Sequence, residues 1–100
     1  MSSALPVAPT NLTAPDVTSD SVTLTWNSDN TKPLQYYIIQ LKCNCSSDYS
    51  YMYYYDVQTT TYKVSFLQSN SVYEFRIIAV NDDGPSQPST SIVVATAKSN

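Results

Sequence analysis

A run of alternating residues in the second half of the sequence places the strongest limit on the fold of this chain. Between Leu67 and Asn81, every second residue from Tyr73 to Ala79 is apolar, whereas Glu74 and Arg76 lie between them. This period of two is typical of a strand with one face in a core, because successive side chains of a strand point to opposite faces. We therefore predict a central β-strand here.

The spacing of Leu67 and Tyr73 adds a second restriction to the same segment. Leu67 precedes Tyr73 by six residues. This distance lets the Tyr73 ring pack into a core while its hydroxyl bonds back to the upstream backbone, the arrangement called a tyrosine corner in two-sheet β domains. Both residues are predicted to be structural.

Several short motifs together resemble a fibronectin type III domain over almost the whole chain. They are the Leu67 and Tyr73 pair, the ending Ala79-Val80-Asn81, Gly84 with Ser86, and Trp26 far upstream. The resemblance implies an all-β, seven-stranded immunoglobulin-like sandwich over residues 9–97, with a lead-in at 1–8 and a tail at 98–100. A length of 100 residues agrees with one domain of ordinary size.

The remaining strands follow from alternation and from the alignment to this family. Each inward face carries large apolar side chains, and turn-forming Asn, Asp, Pro and Ser residues separate the strands. On the strand QYYIIQLK, Tyr36, Ile38 and Gln40 are expected to face outward. The residues expected to face inward are Leu12, Val17, Val22, Leu24, Trp26, Tyr37, Ile39, Leu41, Tyr62, Val64, Leu67, Ile92 and Val94.

Within this family, the chain resembles more closely the repeats of receptor tyrosine phosphatases of the leukocyte-antigen-related class. The resemblance rests on the segments SVTLTW, PLQYYIIQLK and YEFRIIAVN. This resemblance implies an extracellular or cell-surface module, either binding protein or acting as a structural spacer. A binding scaffold engineered from such a domain, with its Tyr-rich segment diversified, would have the same sequence features.

The segment from Cys43 to Val57 departs most from an average member of the family. Five of the nine tyrosines fall in it, and the family alignment makes it an edge strand beside QYYIIQLK. Tyrosine clusters at protein interfaces, but an ordinary edge strand with rings covering their neighbours explains the same residues. The predicted protein-binding residues are Tyr36, Ile38, Tyr49, Tyr51, Met52, Tyr53, Tyr54, Tyr55 and Ile78.

The same segment contains no Lys and no Pro, and no bulge is expected in it. In natural proteins, a Lys, a Pro or a bulge usually prevents an edge strand from pairing with another chain. We therefore expect an unguarded edge through which the domain could associate with a partner or with itself.

Cys43 and Cys45 are the only cysteines, and the sequence has no histidine. Residues i and i+2 of one strand rarely meet disulfide geometry, so we expect free thiols or an intermolecular disulfide. Metal binding would need more ligands. Asn11-Leu12-Thr13 and Asn44-Cys45-Ser46 match the N-glycosylation acceptor pattern, which also arises by chance.

Charge and composition exclude several classes of function. A net charge of −3 with five Lys and Arg residues provides no basic stripe for nucleic acid or anionic membrane. No apolar run approaches the length of a membrane span, so no membrane insertion is expected. Without histidine, Ser and Cys nucleophiles lack their usual base. We predict a protein partner, no cofactor and no enzymatic activity.

Overall fold

Two antiparallel β-sheets form the computed structural model, which describes residues 5–28, 34–43 and 52–99 and, of residues 52–55, the backbone alone. No helix occurs in these ranges. The strands are β1 Thr10–Val17, β2 Val22–Asn27, β3 Tyr36–Cys43, β4 Met52–Val57, β5 Thr61–Val64, β6 Val72–Asn81, β7 Gly84–Pro85 and β8 Ile92–Ala95.

The strand order confirms the predicted sandwich. One sheet has the order β1-β2-β5, and the other has the order β4-β3-β6-β7 with β8 also paired to β6. The strand β6 is central, as its alternation predicts, because it pairs with β3 on one side and with β7 and β8 on the other. The seventh predicted strand, TSIVVAT, corresponds to β8, whereas the two-residue strand β7 lies in the segment NDDGPSQPS, which was predicted to be a loop.

The core lies between the sheets and contains the side chains that the alternation points inward. Trp26 of β2 meets Tyr37 of β3 edge to face, with ring centroids 5.4 Å apart, so the two sheets are joined by an aromatic pair. Tyr62, Leu67, Ile92 and Val94 are half-buried at its margin. The other buried core residues are Leu12, Val22, Leu24, Ile39, Leu41, Val57, Val64, Tyr73, Phe75, Ile77 and Ala79.

The predicted tyrosine corner is present between the two sheets. Tyr73 is buried, and its hydroxyl accepts a hydrogen bond of 2.7 Å from the Gln68 amide. Leu67 packs against the core cluster, and its own amide donates to the Asp20 carbonyl at 2.9 Å. The loop before β6 is therefore bonded to β6 through Tyr73 and, through Asp20, to the turn between β1 and β2 in the other sheet.

Two serines keep β6 hydrogen-bonded along the stretch between its pairing with β7 and its pairing with β8. Proline has no N–H to donate to a β ladder, and Pro85 ends β7 while Pro88 lies between β7 and β8. The Ser86 hydroxyl accepts from the Ala79 amide, and the Ser89 hydroxyl from the Ile77 amide, each at 2.9 Å. Side-chain oxygens thus replace the carbonyls of an unbroken strand.

The outward residue Gln40 differs from the prediction in being buried, at 7% exposure. It lies on an inner strand, between β4 and β6. Arg76 is its register partner on β6 and donates a hydrogen bond from Nε to the Gln40 Oε1. Alternation gives the face on which a side chain lies, but burial also depends on the length of its neighbours.

Candidate protein-binding surface

The strand β4 forms one edge of the five-stranded sheet, as the family alignment predicts. Its register with β3 pairs Met52 with Leu41, Tyr53 with Gln40 and Tyr54 with Ile39. The side chains of residues 52–55 lie outside the described part of the structure, as do the predicted site residues Tyr49 and Tyr51.

The edge strand β4 carries a bulge, and the prediction of an edge without one is therefore wrong. Ile39 is paired with Tyr54, and Tyr37 is paired with Val57. Between these two pairs, β3 has one residue and β4 has two. Asp56 lies in this interval with a φ of 62°, a left-handed conformation that Asp tolerates better than most residues. The bulge bends the strand near Val57 and leaves the segment that begins at Met52 as the regular part of the edge.

Next to this edge, the outward face of β3 and β6 carries an apolar group. Ile38 is paired directly with Ile78 across the two strands, and Tyr36 is paired with Val80. Tyr36, Ile38 and Ile78 are half-buried, whereas Val80 is buried. We call Tyr36, Ile38, Ile78 and the strand β4 the β4-edge surface.

The other end of the same outward face is polar. Lys42 Nζ lies 3.6 Å from Glu74 Oε1, and these two residues are register partners. Together with the Gln40 and Arg76 pair, they cover the part of β3 and β6 towards Cys43. The outward face is thus divided into an apolar half around Ile38 and a hydrogen-bonded, charged half around Lys42.

The prediction of free thiols is wrong for Cys43, which is disulfide-bonded. The chain's other cysteine, Cys45, lies outside the described residues. The prediction assumed that one extended strand contains both residues, so that their side chains point the same way. Cys43 is the last described residue of strand β3.

The most exposed aromatic residue of the described chain was not identified from the sequence. Phe66 is 99% exposed and has a φ of 63°. It stands in the loop between β5 and β6, directly before the core residue Leu67. Val93 on β8 is also exposed, at 66%. The alternation of β8 indicates the outward position of Val93, whereas no periodic pattern covers Phe66.

The described residues contain no group of three or more His, Cys, Asp or Glu side chains placed to hold a metal ion. In the same ranges, no helix has the length and apolarity to cross a membrane. The arrangement around Ile38 and Ile78 offers apolar area next to β4, whose outer side has no partner among the described strands.

Comparison with known proteins agrees with this architecture. The sequence model described as "Fibronectin type III domain" matches residues 7–95. Receptor-type tyrosine-protein phosphatase F of Danio rerio is 43% identical over 95 residues, covering 95% of this chain and 5% of that protein. Receptor-type tyrosine-protein phosphatase S of Gallus gallus is 39% identical over 95 residues, covering 95% of this chain and 6% of that protein. The chain therefore corresponds to a small part of each relative.

A solved structure gives the same result at the level of the fold. The FN5 domain of Drosophila Lar superimposes with a TM-score of 0.78, covering 95% of this chain and all of that one, at 22% sequence identity. At this identity, the likeness concerns the fold alone.

Proposed function

Because the chain belongs to the fibronectin type III family, we propose that it is a non-catalytic protein-binding module in the extracellular part of a cell-surface receptor. The receptor-type phosphatases among its relatives support the location. The β4-edge surface is the proposed contact site. The observation that supports it is the direct pairing of Ile38 with Ile78 on the face turned away from the core.

An apolar pair in this position is costly for an isolated domain. Each fully exposed aliphatic side chain forgoes roughly 1.5–3 kcal/mol of burial, and patches of such residues mark binding sites in soluble proteins. Ile38 and Ile78 are half-buried, so a partner would remove the remaining apolar area from water. Strand β4, next to β3, has one side that pairs with no other described strand and could accept a partner's backbone.

The first experiment changes the tyrosines of the edge. Replacing Tyr51, Tyr53 and Tyr55 together by Ser should leave the fold intact in a thermal melt. Affinity for an extracellular partner found by screening secreted receptor ectodomains, or self-association in sedimentation, should fall at least about tenfold, which corresponds to ~1.4 kcal/mol. Unchanged affinity and unchanged sedimentation would move the site to the segments 27–34 and 81–89.

A second variant tests the described apolar face by itself. Ile38→Thr combined with Ile78→Thr keeps two β-branched residues on the strands but removes the apolar pair. The matched control is Val93→Thr, because Val93 lies at the other edge of the same sheet and is exposed at 66%. The double variant should weaken binding while the control does not. Equal weakening in both would contradict a site at the β4 edge.

A structural spacer is the second candidate function, and the path of the chain favours it. Strand β1 begins at Thr10, while the carbonyl of Thr18, just beyond its other end, accepts a hydrogen bond of 3.0 Å from the Ala97 amide. The chain thus enters and leaves the sandwich at opposite ends. Modules connected in this way extend a receptor in line, and such a role needs no partner at the β4 edge. Absence of binding and of self-association in the experiments above would favour the spacer.

A further inference from the structure

We propose that Asn11 is an N-glycosylation site and that its glycan covers the edge of the sandwich opposite the β4-edge surface. The acceptor pattern Asn11-Leu12-Thr13 stands on strand β1. The proposal depends on synthesis in the secretory route, which the receptor relatives favour, and does not depend on binding at the β4 edge.

The burial of the three residues fits a modified site. Asn11 and Thr13 are exposed, whereas Leu12 between them is buried in the core. The two residues that a glycosyltransferase must read are therefore on the solvent side, and the residue that holds the strand in place is the variable middle one. A glycan on Asn11 requires no change in the packing of Leu12.

The backbone at Asn11 also departs from a regular strand. The register of β1 with β2 runs from Thr10 paired with Asn27 to Thr13 paired with Thr25, with a shift between them. Asn11 lies within this irregularity, and its φ is 55°. Asn adopts this left-handed conformation more readily than most residues. The irregularity leaves Asn11 without a register partner on β2.

A cleft of about 260 Å³ adjoins Asn11, between β1 and the segment that leads into β8. Its lining includes the apolar residues Pro9, Leu12 and Ile92 and the hydroxyl-bearing residues Thr10, Ser89 and Thr90. Of these, Ser89 already uses its hydroxyl in bonds to the Ile77 amide and the Thr90 carbonyl. A sugar ring presents apolar C–H faces and polar hydroxyls together. The first sugar of a glycan on Asn11 would lie over this cleft, next to its apolar lining and to the exposed residues Thr10 and Thr90.

The position of Asn11 determines which side of the domain the glycan shields. Strand β1 is an edge of the three-stranded sheet and contacts β8. In the other sheet, β8 lies on the far side of β6 from β3 and β4. The glycan would thus cover the β1 edge against pairing with another chain and leave the β4 edge accessible.

The chemistry is a glycosyl transfer from a lipid-diphosphate-linked oligosaccharide. The bond between the anomeric carbon and the diphosphate breaks, and a bond forms between that carbon and Asn11 Nδ2. The amide nitrogen loses one proton to solvent, and the lipid diphosphate leaves. No oxidant or reductant takes part.

The test directs the chain into the secretory route of a eukaryotic cell and measures its intact mass before and after treatment with a peptide N-glycosidase. An Asn44→Gln background removes the second acceptor pattern, which lies outside the described residues. In this background, we expect one glycan on Asn11, with conversion of Asn11 to Asp on release. Thr13→Ala should abolish the glycan, whereas the control Thr13→Ser keeps the acceptor pattern and should retain it.

Secreted, folded protein without a glycan at Asn11 would overturn the proposal. Should Thr13→Ala prevent secretion, Asn11→Gln provides the same loss of acceptor with Thr13 intact. The shielding is tested separately, since removal of the glycan should increase protease cleavage or self-pairing at the β1 edge. If the glycan on Asn11 itself abolished binding at the β4-edge surface, it would lie on the same side as that surface, and the proposed position of the glycan would be wrong.

Discussion

Thr96 and Gln68 are joined by a hydrogen bond of 2.6 Å, from the Thr96 hydroxyl to the Gln68 carbonyl, across 28 positions of the sequence. The Thr96 hydroxyl also accepts from the Ser71 amide at 3.0 Å, and Thr96 is only 5% exposed. One side chain after β8 therefore satisfies two backbone groups of the loop before β6.

Replacing Thr96 by Val should destabilise the domain by about 1–3 kcal/mol, because both backbone groups lose this hydrogen-bond partner at a part-buried site. Thr96→Ser is the matched control, since it keeps the hydroxyl and removes one methyl, which costs about 0.8 kcal/mol when buried. Urea denaturation measures both. A larger loss for Ser than for Val would show that packing, and not hydrogen bonding, dominates at this position.

Tyr73→Phe should cost about 1–3 kcal/mol of unfolding free energy, because the Gln68 amide loses the hydroxyl that accepts its hydrogen bond. The ring remains in the core, so no cavity forms. Tyr36→Phe is the control, on a half-buried outward position, and should change stability by less than about 0.5 kcal/mol. Chemical denaturation of the two variants side by side tests the tyrosine corner.

Phe66→Gly should raise the unfolding free energy by roughly 1 kcal/mol. The φ of 63° at Phe66 is a conformation that costs a non-glycine residue about 1–2 kcal/mol, and glycine adopts it freely. The ring, at 99% exposure, contributes no packing. Phe66→Ala keeps the backbone restriction and should leave stability nearly unchanged. Destabilisation by both substitutions would mean that the ring is held against the domain.

The disulfide at Cys43 predicts the behaviour of the thiols. The native, non-reduced monomer should take up no thiol reagent, and the reduced and denatured chain should take up two labels, one for each cysteine of the sequence. Intact mass spectrometry measures both, with non-reducing electrophoresis to exclude a linked dimer. Labelling of the native monomer would show that Cys43 is free in solution.

The sequence determined the strands and the core because alternation records directly which face of a strand is buried. Trp26, Phe75 and Ile77 follow this rule and are buried. Alternation did not predict the burial of Gln40, which depends on the neighbouring Arg76 side chain. It also did not predict the bulge in β4, which depends on the backbone conformation of Asp56. The β4-edge surface was predicted from composition and family alignment, and its pairing of Ile38 with Ile78 required the register.

The hydrogen bonds that hold residues 96 and 97 have a mechanical consequence. Strand β8 has only four residues. If it were held by its pairing with β6 alone, a force on the chain after β8 would separate the two strands one hydrogen bond at a time. The amide of Ala97 is bonded to Thr18 beside the other sheet, while Thr96 is bonded to Gln68 and Ser71. Tension at this end is therefore shared between the two sheets, and rupture must break several bonds at once before β8 can unzip.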